Sequence, residues 1–292
     1  MNPSSRHGTT TCTDGDTEFD LTIIVISYNS GQLVIDNLDS VVNSRRWLTQ
    51  VIDNNSSDNS FQLMSKHFQP EQLIALPRNE GYGRAANVAL MFLKTRYALL
   101  LNPDIAVDEK TVADFVHHAI NTAPDAAIIA PATRPEEQCH CGMLAQRDVL
   151  GAAMLFDREQ FKDIGWFDEH LFLYYEEKDL CRRVIEAGKA IYLDSEHYFV
   201  HAKGSSSGNS NAIAYLKHWH VGWSSCYYLK KHGLNHGRQG ALAMLLRYST
   251  KALFYHSASA RLKYRARSAG VSAFLRGKGP FDAEGHPRAQ PY

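Results

Sequence analysis

The sequence lacks acidic residues over one long stretch near its C-terminal end. Residues 197–281 contain 13 Lys and Arg residues and no Asp or Glu, although the 292-residue chain has a formal net charge of zero. This separation of charge indicates a polyanionic partner for that stretch, such as phosphate-bearing lipid, a membrane surface or nucleic acid. The alternative is a solvated basic face. Nucleic-acid binding has only the basic charge in its favour, so we expect none.

The sequence also has little cysteine and no long apolar run. Its five cysteines are scattered and odd in number, which indicates a reducing compartment without a disulfide framework. Cys139 and Cys141 flank His140, but no second ligand pair follows at a zinc-site spacing, which disfavours a metal site there. The first nineteen residues lack the apolar segment of a signal peptide, and no run reaches the length of a membrane span. We therefore expect a cytoplasmic protein, with peripheral attachment to the inner face of the cell membrane as the variant.

Short apolar strands alternate with helical patterns through the first half of the chain. Strands are expected at 21–27 and near 50–53, 73–76 and 99–101, with helices between them. Continuous apolar runs rich in β-branched residues are typical of strands covered on both faces. The alternation predicts an α/β fold in which a mostly parallel sheet has helices on both faces. Further strands are expected at 151–156, 191–193 and 198–200.

Polar residues follow each of the first four strands. They are Tyr28 and Asn29, then Asp53, then Asn79, and finally Asn102 and Asp104. Because the carboxyl ends of parallel strands meet at one edge of a sheet, these residues predict a ligand-binding rim. Each ending alone is also ordinary turn chemistry. Residues 81–83 resemble a phosphate-binding turn but lack the dinucleotide spacing and the P-loop lysine, which disfavours a redox dinucleotide fold.

Acidic residues are concentrated at the start of a helix expected over 177–187. Glu176, Glu177 and Asp179 follow an aromatic run that ends at Tyr175. One interpretation is structural, because carboxylates are favourable at the N-terminus of a helix. The other is catalytic: two adjacent acids repel each other, and repulsion raises the pKa of one of them toward that of a general base.

Six stretches, in order, give the chain a family resemblance over about residues 20–205. They are Ile-Val-Ile-Ser-Tyr-Asn-Ser, Val-Ile-Asp-Asn-Asn-Ser-Ser-Asp, Asn-Glu-Gly-Tyr-Gly-Arg-Ala-Ala-Asn, Leu-Leu-Leu-Asn-Pro-Asp, Gly-Trp-Phe-Asp-Glu and Tyr-Glu-Glu-Lys-Asp-Leu-Cys-Arg-Arg. The chain resembles family 2 glycosyltransferases of the bacterial rhamnosyltransferase-like kind. The resemblance implies a GT-A fold, a Rossmann-like architecture for nucleotide-diphospho-sugar transfer.

The resemblance implies roles for individual residues. Those bordering the nucleotide would be Ser27, Tyr28, Asn29, Asp53, Asn79, Arg84 and Asn102, with Asp53 accepting a hydrogen bond from the pyrimidine ring N–H. Asp104 would bind the metal in place of the second acid of the family's Asp-X-Asp, and His201 would complete the metal site. Glu177 would be the catalytic base. The sequence departs from the family at Asn102, which replaces an aspartate, and at Glu177, which is one methylene longer than the usual residue.

The function implied is that of an inverting, metal-dependent glycosyltransferase with Mg²⁺ or Mn²⁺ as cofactor. It would move a sugar from a nucleotide donor, dTDP-rhamnose or a UDP-sugar with GDP-sugars still open, to a glycan or lipid-linked glycan in bacterial surface polysaccharide or lipopolysaccharide synthesis. Two alternatives remain. One is a noncatalytic glycan- or membrane-binding protein on the same scaffold. The other is a sugar nucleotidyltransferase, which the turn Ser27–Gly31 disfavours because it is not a Gly-rich, Arg-containing loop.

The resemblance and the charge pattern together predict the domain organisation. We expect disordered tails over 1–19 and 281–292, a GT-A catalytic domain over 20–208 and a basic helical extension over 209–280. Helices are expected at 211–232, 238–255 and 259–276, the first packed on the catalytic domain and the others facing an anionic membrane surface. The alternatives are a helical cap over the core and, because the extension is rich in aromatics, a homodimer interface. Residues 203–210 are expected to form a mobile loop that folds over a ligand.

Overall fold

One eight-stranded sheet organises the molecule in the computed structural model, which describes residues 20–202, 210–234 and 237–289. The strands are β1 (Leu21–Ser27), β2 (Leu48–Asp53), β3 (Leu73–Ala75), β4 (Tyr97–Leu101), β6 (Ala126–Ala132), β7 (Met143–Ala145), β8 (Ala153–Asp157) and β9 (Ala190–Tyr198). Their order is β3-β2-β1-β4-β8-β6-β9-β7, and β8 and β7 run antiparallel to the rest. The sheet is therefore mostly parallel, as predicted.

A two-stranded antiparallel ribbon lies beside the sheet. It pairs β5 (Ile105–Ala106) with β10 (Val200–His201), and Ile105 is opposite His201. The helices are α1 (Gly31–Val42), α2 (Ser60–His67), α3 (Tyr82–Leu90), α4 (Glu109–Thr122), α5 (Glu176–Glu186), α6 (Asn211–Lys231), α7 (Arg238–Phe254) and α8 (Ala258–Leu275).

The strands bury both of their faces, because helices cover the sheet on each side. In β1, Ile23 packs in one core with residues of α1, α2 and α4, whereas the next residue, Ile24, packs in a second core with residues of α3 and α5. Successive side chains of a strand point to opposite faces, so a continuous apolar run fills both cores. This arrangement confirms the predicted α/β fold.

The C-terminal helices form a bundle that joins the sheet domain through α6. Gly222 of α6 and Gly270 of α8 bring the two helices into backbone contact: a Cβ on Gly270 would lie 2.1 Å from the Trp219 carbonyl oxygen. On the side facing the sheet domain, the Ser224 hydroxyl donates to the Leu173 carbonyl at 3.0 Å. Among the described residues, no helix is both long enough and apolar enough to cross a membrane.

Residues 281–289 do not form the disordered tail expected from the sequence. Phe281 forms a bridge with Pro287, and its ring lies 5.9 Å from that of Phe172 and 4.5 Å beneath the Arg84 guanidinium. The expected disorder does not hold over 281–289, because the Phe281 side chain anchors this segment to Phe172 and Arg84. The expected tail over 1–19 lies outside the described residues, and so do residues 203–209 of the loop expected over 203–210.

Candidate active site

Asp104 and His201 face each other although 97 positions separate them in the chain. Pro103 ends β4, and the turn that follows is closed by a hydrogen bond from the Ile105 amide to the Asn102 carbonyl. The ribbon then places β10 beside β5, and the Ala202 amide donates to the Asp104 carbonyl at 2.9 Å. His201 Nε2 lies 3.5 Å from Asp104 Oδ1, and the Asp104 side chain is only 3% exposed.

Three buried polar atoms at this turn have no hydrogen-bond partner within the described part of the chain. They are Asp104 Oδ1, Asn102 Oδ1 and His201 Nδ1. Buried polar atoms without partners are rare in folded proteins and each needs an explanation. Carboxylate oxygen, amide oxygen and imidazole nitrogen are ligands for Mg²⁺ or Mn²⁺, so these residues fit a divalent cation.

The acidic pair stands at the start of α5, behind two residues with unusual backbone angles. Tyr174 and Tyr175 have φ of 67° and 72°, a left-handed conformation that costs energy for side chains of this size. Such strain concentrates at functional sites. Here it turns the chain abruptly from the aromatic run into α5, so that Glu176 and Glu177 enter the interior.

The two glutamates differ in their surroundings. Glu176 is 5% exposed, and its Oε2 has no hydrogen-bond partner among the described residues. Burial, reinforced by the charge of Glu177, raises the pKa of Glu176 well above its ordinary value. Burial also raises the pKa of Glu177, which is less enclosed. Glu176 therefore retains its proton more readily than Glu177, which separates the two into an acid and a base.

The third acid of the cluster, Asp179, has a structural role. It is fully buried and pairs with Arg183 at 2.9 Å and Lys231 at 2.6 Å, and its Oδ1 lies 2.9 Å from His232 Nε2. Lys231 also contacts Asp168, whose pKa lies well below its ordinary value because hydrogen bonds from Lys231 and other donors outweigh the effect of burial. This network fixes α6 to the start of α5.

Tyr82 lies among the acidic residues, a position that sequence reasoning missed. Its hydroxyl donates to the Gly151 carbonyl at 2.6 Å. Burial raises its pKa well above the ordinary value, and the charges of Glu176, Glu177 and Asp104 raise it further. A Cβ on Gly151 would lie 3.5 Å from the Glu177 Cβ and 3.8 Å from the Tyr82 ring, so these two side chains lie on the same side of Gly151, and the Asp104 carboxylate acts electrostatically on the same phenol. The only sequence signal was the tyrosine between two glycines.

Asp53 is available to a ligand at the same edge of the sheet. It ends β2 directly beside Ser27, the last residue of β1. One carboxylate oxygen accepts from the Ser56 amide at 3.0 Å, while Oδ1 is buried without a partner among the described residues. Ser27 and Asn29 instead make contacts within the protein: Ser27 with the Ser30 hydroxyl at 3.1 Å, and Asn29 with the Ser57 amide at 2.8 Å. Tyr28, half-buried, lies between them.

Asn79 and Arg84 also have partners within the protein. Asn54, which sequence reasoning missed, donates to Asn79 Oδ1 and to the Gly81 carbonyl, both at 3.1 Å, and so fixes the loop before α3. Gly81 has φ of 81° and approaches the Phe172 backbone so closely that a Cβ would lie 2.0 Å from its carbonyl oxygen. Arg84 pairs with Glu80 at 2.6 Å, besides covering Phe281.

A lysine of the C-terminal bundle reaches the Asp104 region. Lys217, on α6, is half-buried; burial lowers its pKa, and the negative charge of Asp104 raises it. Sequence reasoning placed this lysine on the helix expected to pack on the catalytic domain and gave it no role at the site. In the structure, Lys217 and Asp104 are close enough for their charges to act on each other.

Comparisons with known proteins show which proteins the chain is similar to. Residues 22–144 match the model of glycosyl transferase family 2. Residues 22–144 are therefore similar to family 2 glycosyltransferases. The matched range includes Asp53, Asp104 and Tyr82, whereas Glu177 and His201 lie beyond it.

The similar proteins are glycosyltransferases too. The chain is 25% identical over 211 residues, 61% of its length and 67% of the relative's, to the low-salt glycan biosynthesis hexosyltransferase Agl10 of Haloferax volcanii. Its fold is similar to the mannosyltransferase PcManGT of Pyrobaculum calidifontis, solved with GDP-Man and Mn²⁺ (TM-score 0.58, 15% identity, 89% and 88% of the two chains). It is also similar to S. aureus TarS 1-349, solved with UDP-GlcNAc (TM-score 0.53, 15% identity, 88% and 92%). The fold of the chain is therefore GT-A.

Proposed function

We propose that this glycosyltransferase moves a hexose from a nucleoside-diphosphate donor to a hydroxyl of a glycan or lipid-linked glycan during surface polysaccharide synthesis, with inversion at the anomeric carbon. The observation that supports it most is the buried pair of Asp104 and His201, 3.5 Å apart, with unpartnered ligand atoms in the same site as two glutamates of raised pKa. The alternative remains a noncatalytic glycan- or membrane-binding protein.

Asp104, His201 and Asn102 would hold Mg²⁺ or Mn²⁺. Such an ion, when bound, supplies Lewis-acid stabilisation of the leaving diphosphate. Lys217 adds a fixed positive charge near the same position. Since Asn102 is neutral where the family has an aspartate, the nucleotide's own phosphates would supply more of the negative charge that balances a bound cation.

The nucleoside would lie against the ends of β1 and β2. The Ser56 amide donates to Asp53 Oδ2 and so orients the carboxylate. The other oxygen, Oδ1, has no partner among the described residues and can accept a hydrogen bond from a ring N–H. The resemblance favours dTDP-rhamnose, while the solved neighbours were determined with GDP-Man and UDP-GlcNAc. Uracil, thymine and guanine all present such an N–H, so Asp53 alone does not select among them.

Glu177 would take the proton of the acceptor hydroxyl. The hydroxyl oxygen then forms the bond to the anomeric carbon on the face opposite the diphosphate, and the bond from that carbon to the diphosphate oxygen breaks with its electron pair. Glu176, whose pKa burial raises well above its ordinary value, holds its proton more readily than Glu177 and so disfavours a second negative charge beside the base. General-base catalysis of this kind contributes about 10²–10⁴-fold in rate.

The later C-terminal helices would dock on an anionic membrane. On α7, Leu242, Leu246 and Leu253 are 49%, 67% and 77% exposed, and their spacing of four and seven residues places them along one stripe. Exposed Arg238 and Arg247 lie on the same helix. An exposed apolar stripe among cations suits the boundary between lipid headgroups and acyl chains.

Calorimetry of nucleotide binding tests the proposal. UDP, dTDP and GDP are titrated with and without Mn²⁺ into the wild type, Asp104→Ala and the control Asp125→Ala, which removes an exposed carboxylate. We expect one diphosphate to bind with a metal requirement that Asp104→Ala abolishes and Asp125→Ala leaves intact. Absence of metal-dependent binding of every nucleotide would overturn the proposed donor site. Binding without transfer or donor hydrolysis would favour the noncatalytic alternative.

A further inference from the structure

Two histidines converge on one buried carboxylate outside the candidate active site. His118 Nδ1 and His197 Nδ1 lie 2.9 Å and 2.8 Å from the same oxygen, Oδ2, of Asp194. Asp194 is fully buried, while the side chains of His118 and His197 are 31% and 20% exposed. The three ligand atoms lie within 4.8 Å of one another, the only such group of three found among the described residues.

An irregularity in β9 brings two of these side chains to one face. Asp194 is opposite Pro131 of β6, yet the next residue of β6, Ala132, is opposite Tyr198, so residues 195–197 are extra on β9. In a regular strand, residues three apart point to opposite faces of the sheet. The bulge therefore turns His197 to the side of Asp194 that faces α4. Bulges that redirect a side chain are common beside functional sites.

The surrounding residues hold all three side chains in place. Asp194 Oδ1 accepts from the Glu196 amide at 3.0 Å, which fixes the carboxylate and leaves Oδ2 directed at the histidines. The His197 ring packs edge-on against Phe115 of α4, with 6.0 Å between the ring centroids. His118 is on the same helix, and its ring lies 5.1 Å from that of His197. Orientation of ligands by such outer contacts is typical of metal sites.

We propose that His118, His197 and Asp194 form a second cation site, for a transition metal of the zinc class. Two imidazoles and one carboxylate are a ligand set of zinc sites that keep a fourth position open. Because both histidine side chains are partly exposed, a solvent molecule can occupy the fourth coordination position. Imidazole nitrogen favours Zn²⁺, Co²⁺ or Ni²⁺ over Mg²⁺, which distinguishes this site from the oxygen-rich one at Asp104. The bound ion would link α4 to β9.

Metal titration of the full-length protein in an Asp104→Ala background tests this site, because that background removes the proposed ion at Asp104. We expect one equivalent of Zn²⁺ or Co²⁺ to bind after chelator treatment, with the visible spectrum of four-coordinate Co²⁺. His118→Gln and His197→Gln should each weaken binding at least tenfold. His117→Gln is the matched control, since its side chain pairs with Asn121 on the same helix, and it should bind as tightly as the parent.

A second variant tests the position of the ion directly. His118→Cys replaces one ligand by another, so the Co²⁺ complex should gain a thiolate-to-metal charge-transfer band that the parent lacks. No stoichiometric binding by the Asp104→Ala protein would overturn the proposal and leave a hydrogen-bonded triad. The proposal would also be overturned if both His118→Gln and His197→Gln bound the metal as tightly as the parent, or if the cobalt complex of His118→Cys lacked the charge-transfer band.

Discussion

Glu176 and Glu177 are neighbours in the chain, yet the fold gives them different chemical properties. Glu176 points into the protein with one oxygen unpartnered, whereas Glu177 is partly exposed beside Gly151. If Glu177 is the base, Glu177→Gln should lower kcat by about 10²–10⁴-fold and leave the dissociation constant of the nucleotide unchanged. Transfer assays combined with calorimetry measure both, with exposed Glu169→Gln as the control. Full activity in Glu177→Gln would show that another group is the catalytic base.

The raised pKa of Glu176 has a consequence for stability. A carboxyl whose pKa is higher in the folded than in the unfolded state binds more protons when folded, so its contribution falls as the pH rises above the ordinary value of 4.5. Glu176→Gln removes the titrating carboxyl and with it this pH-dependent loss of folding stability. We expect the variant to have a higher Tm than the wild type at pH 7 to 8, and a difference that shrinks toward pH 4. Thermal unfolding across that range measures it, and a Tm difference independent of pH would contradict the assignment.

Residues that act on the site from distant parts of the chain could not be predicted from the sequence. The strands, their polar ends and the three C-terminal helices follow from local periodicity, and the structure contains them with boundaries shifted by a few residues. His201, Lys217 and Phe281 are different, because their roles depend on which elements the fold brings together. Only the family resemblance indicated His201, and nothing local indicated the other two.

The β5–β10 ribbon and the bulge in β9 show the same limit at the level of elements. Two-residue strands have no periodicity of their own, so residues 105–106 gave no sign of pairing with 200–201. The sequence predicts two short strands near 191–193 and 198–200. The structure instead extends the first of them to Ala190–Tyr198, with extra residues against β6, and has only Val200–His201 in place of the second. The irregularity in β9 creates the His118–Asp194–His197 group. Partner strands, which sequence patterns do not reveal, determine both features.

The contact between α6 and α8 depends on glycine. Since a Cβ at Gly270 would meet the Trp219 carbonyl at 2.1 Å, Gly270→Ala must push the helices apart. We expect it to lower the free energy of unfolding by about 1–3 kcal/mol, the usual cost of overpacking. Gly279→Ala is the control, because a Cβ there would meet no atom closer than 3.9 Å. Urea denaturation compares them, and equal stability of the two variants would show that the helices can separate without cost.

At the scale of the whole molecule, the fold divides the positive charges of the acid-free stretch into two groups. The acid-free stretch includes α6, which supplies Lys217 to the candidate active site and Lys231 to buried Asp168 and Asp179. Part of the positive charge therefore balances carboxylates within the protein, as the helical-cap alternative required. The cations of α7 and α8 are the part left for an external anionic partner.

Vesicle binding tests whether α7 docks on a membrane. We expect the wild type to sediment with vesicles containing anionic phosphatidylglycerol and not with pure phosphatidylcholine, because cations attract the anionic surface and the exposed leucines insert below it. The double variant Leu246→Ser/Leu253→Ser should lose binding, and added salt should weaken that of the wild type. Phe92→Ser, which removes a side chain 77% exposed at the end of α3, is the control and should bind normally. If the wild type binds neither kind of vesicle, or if the leucine variant still sediments with the anionic vesicles, the exposed leucines of α7 do not dock on a membrane.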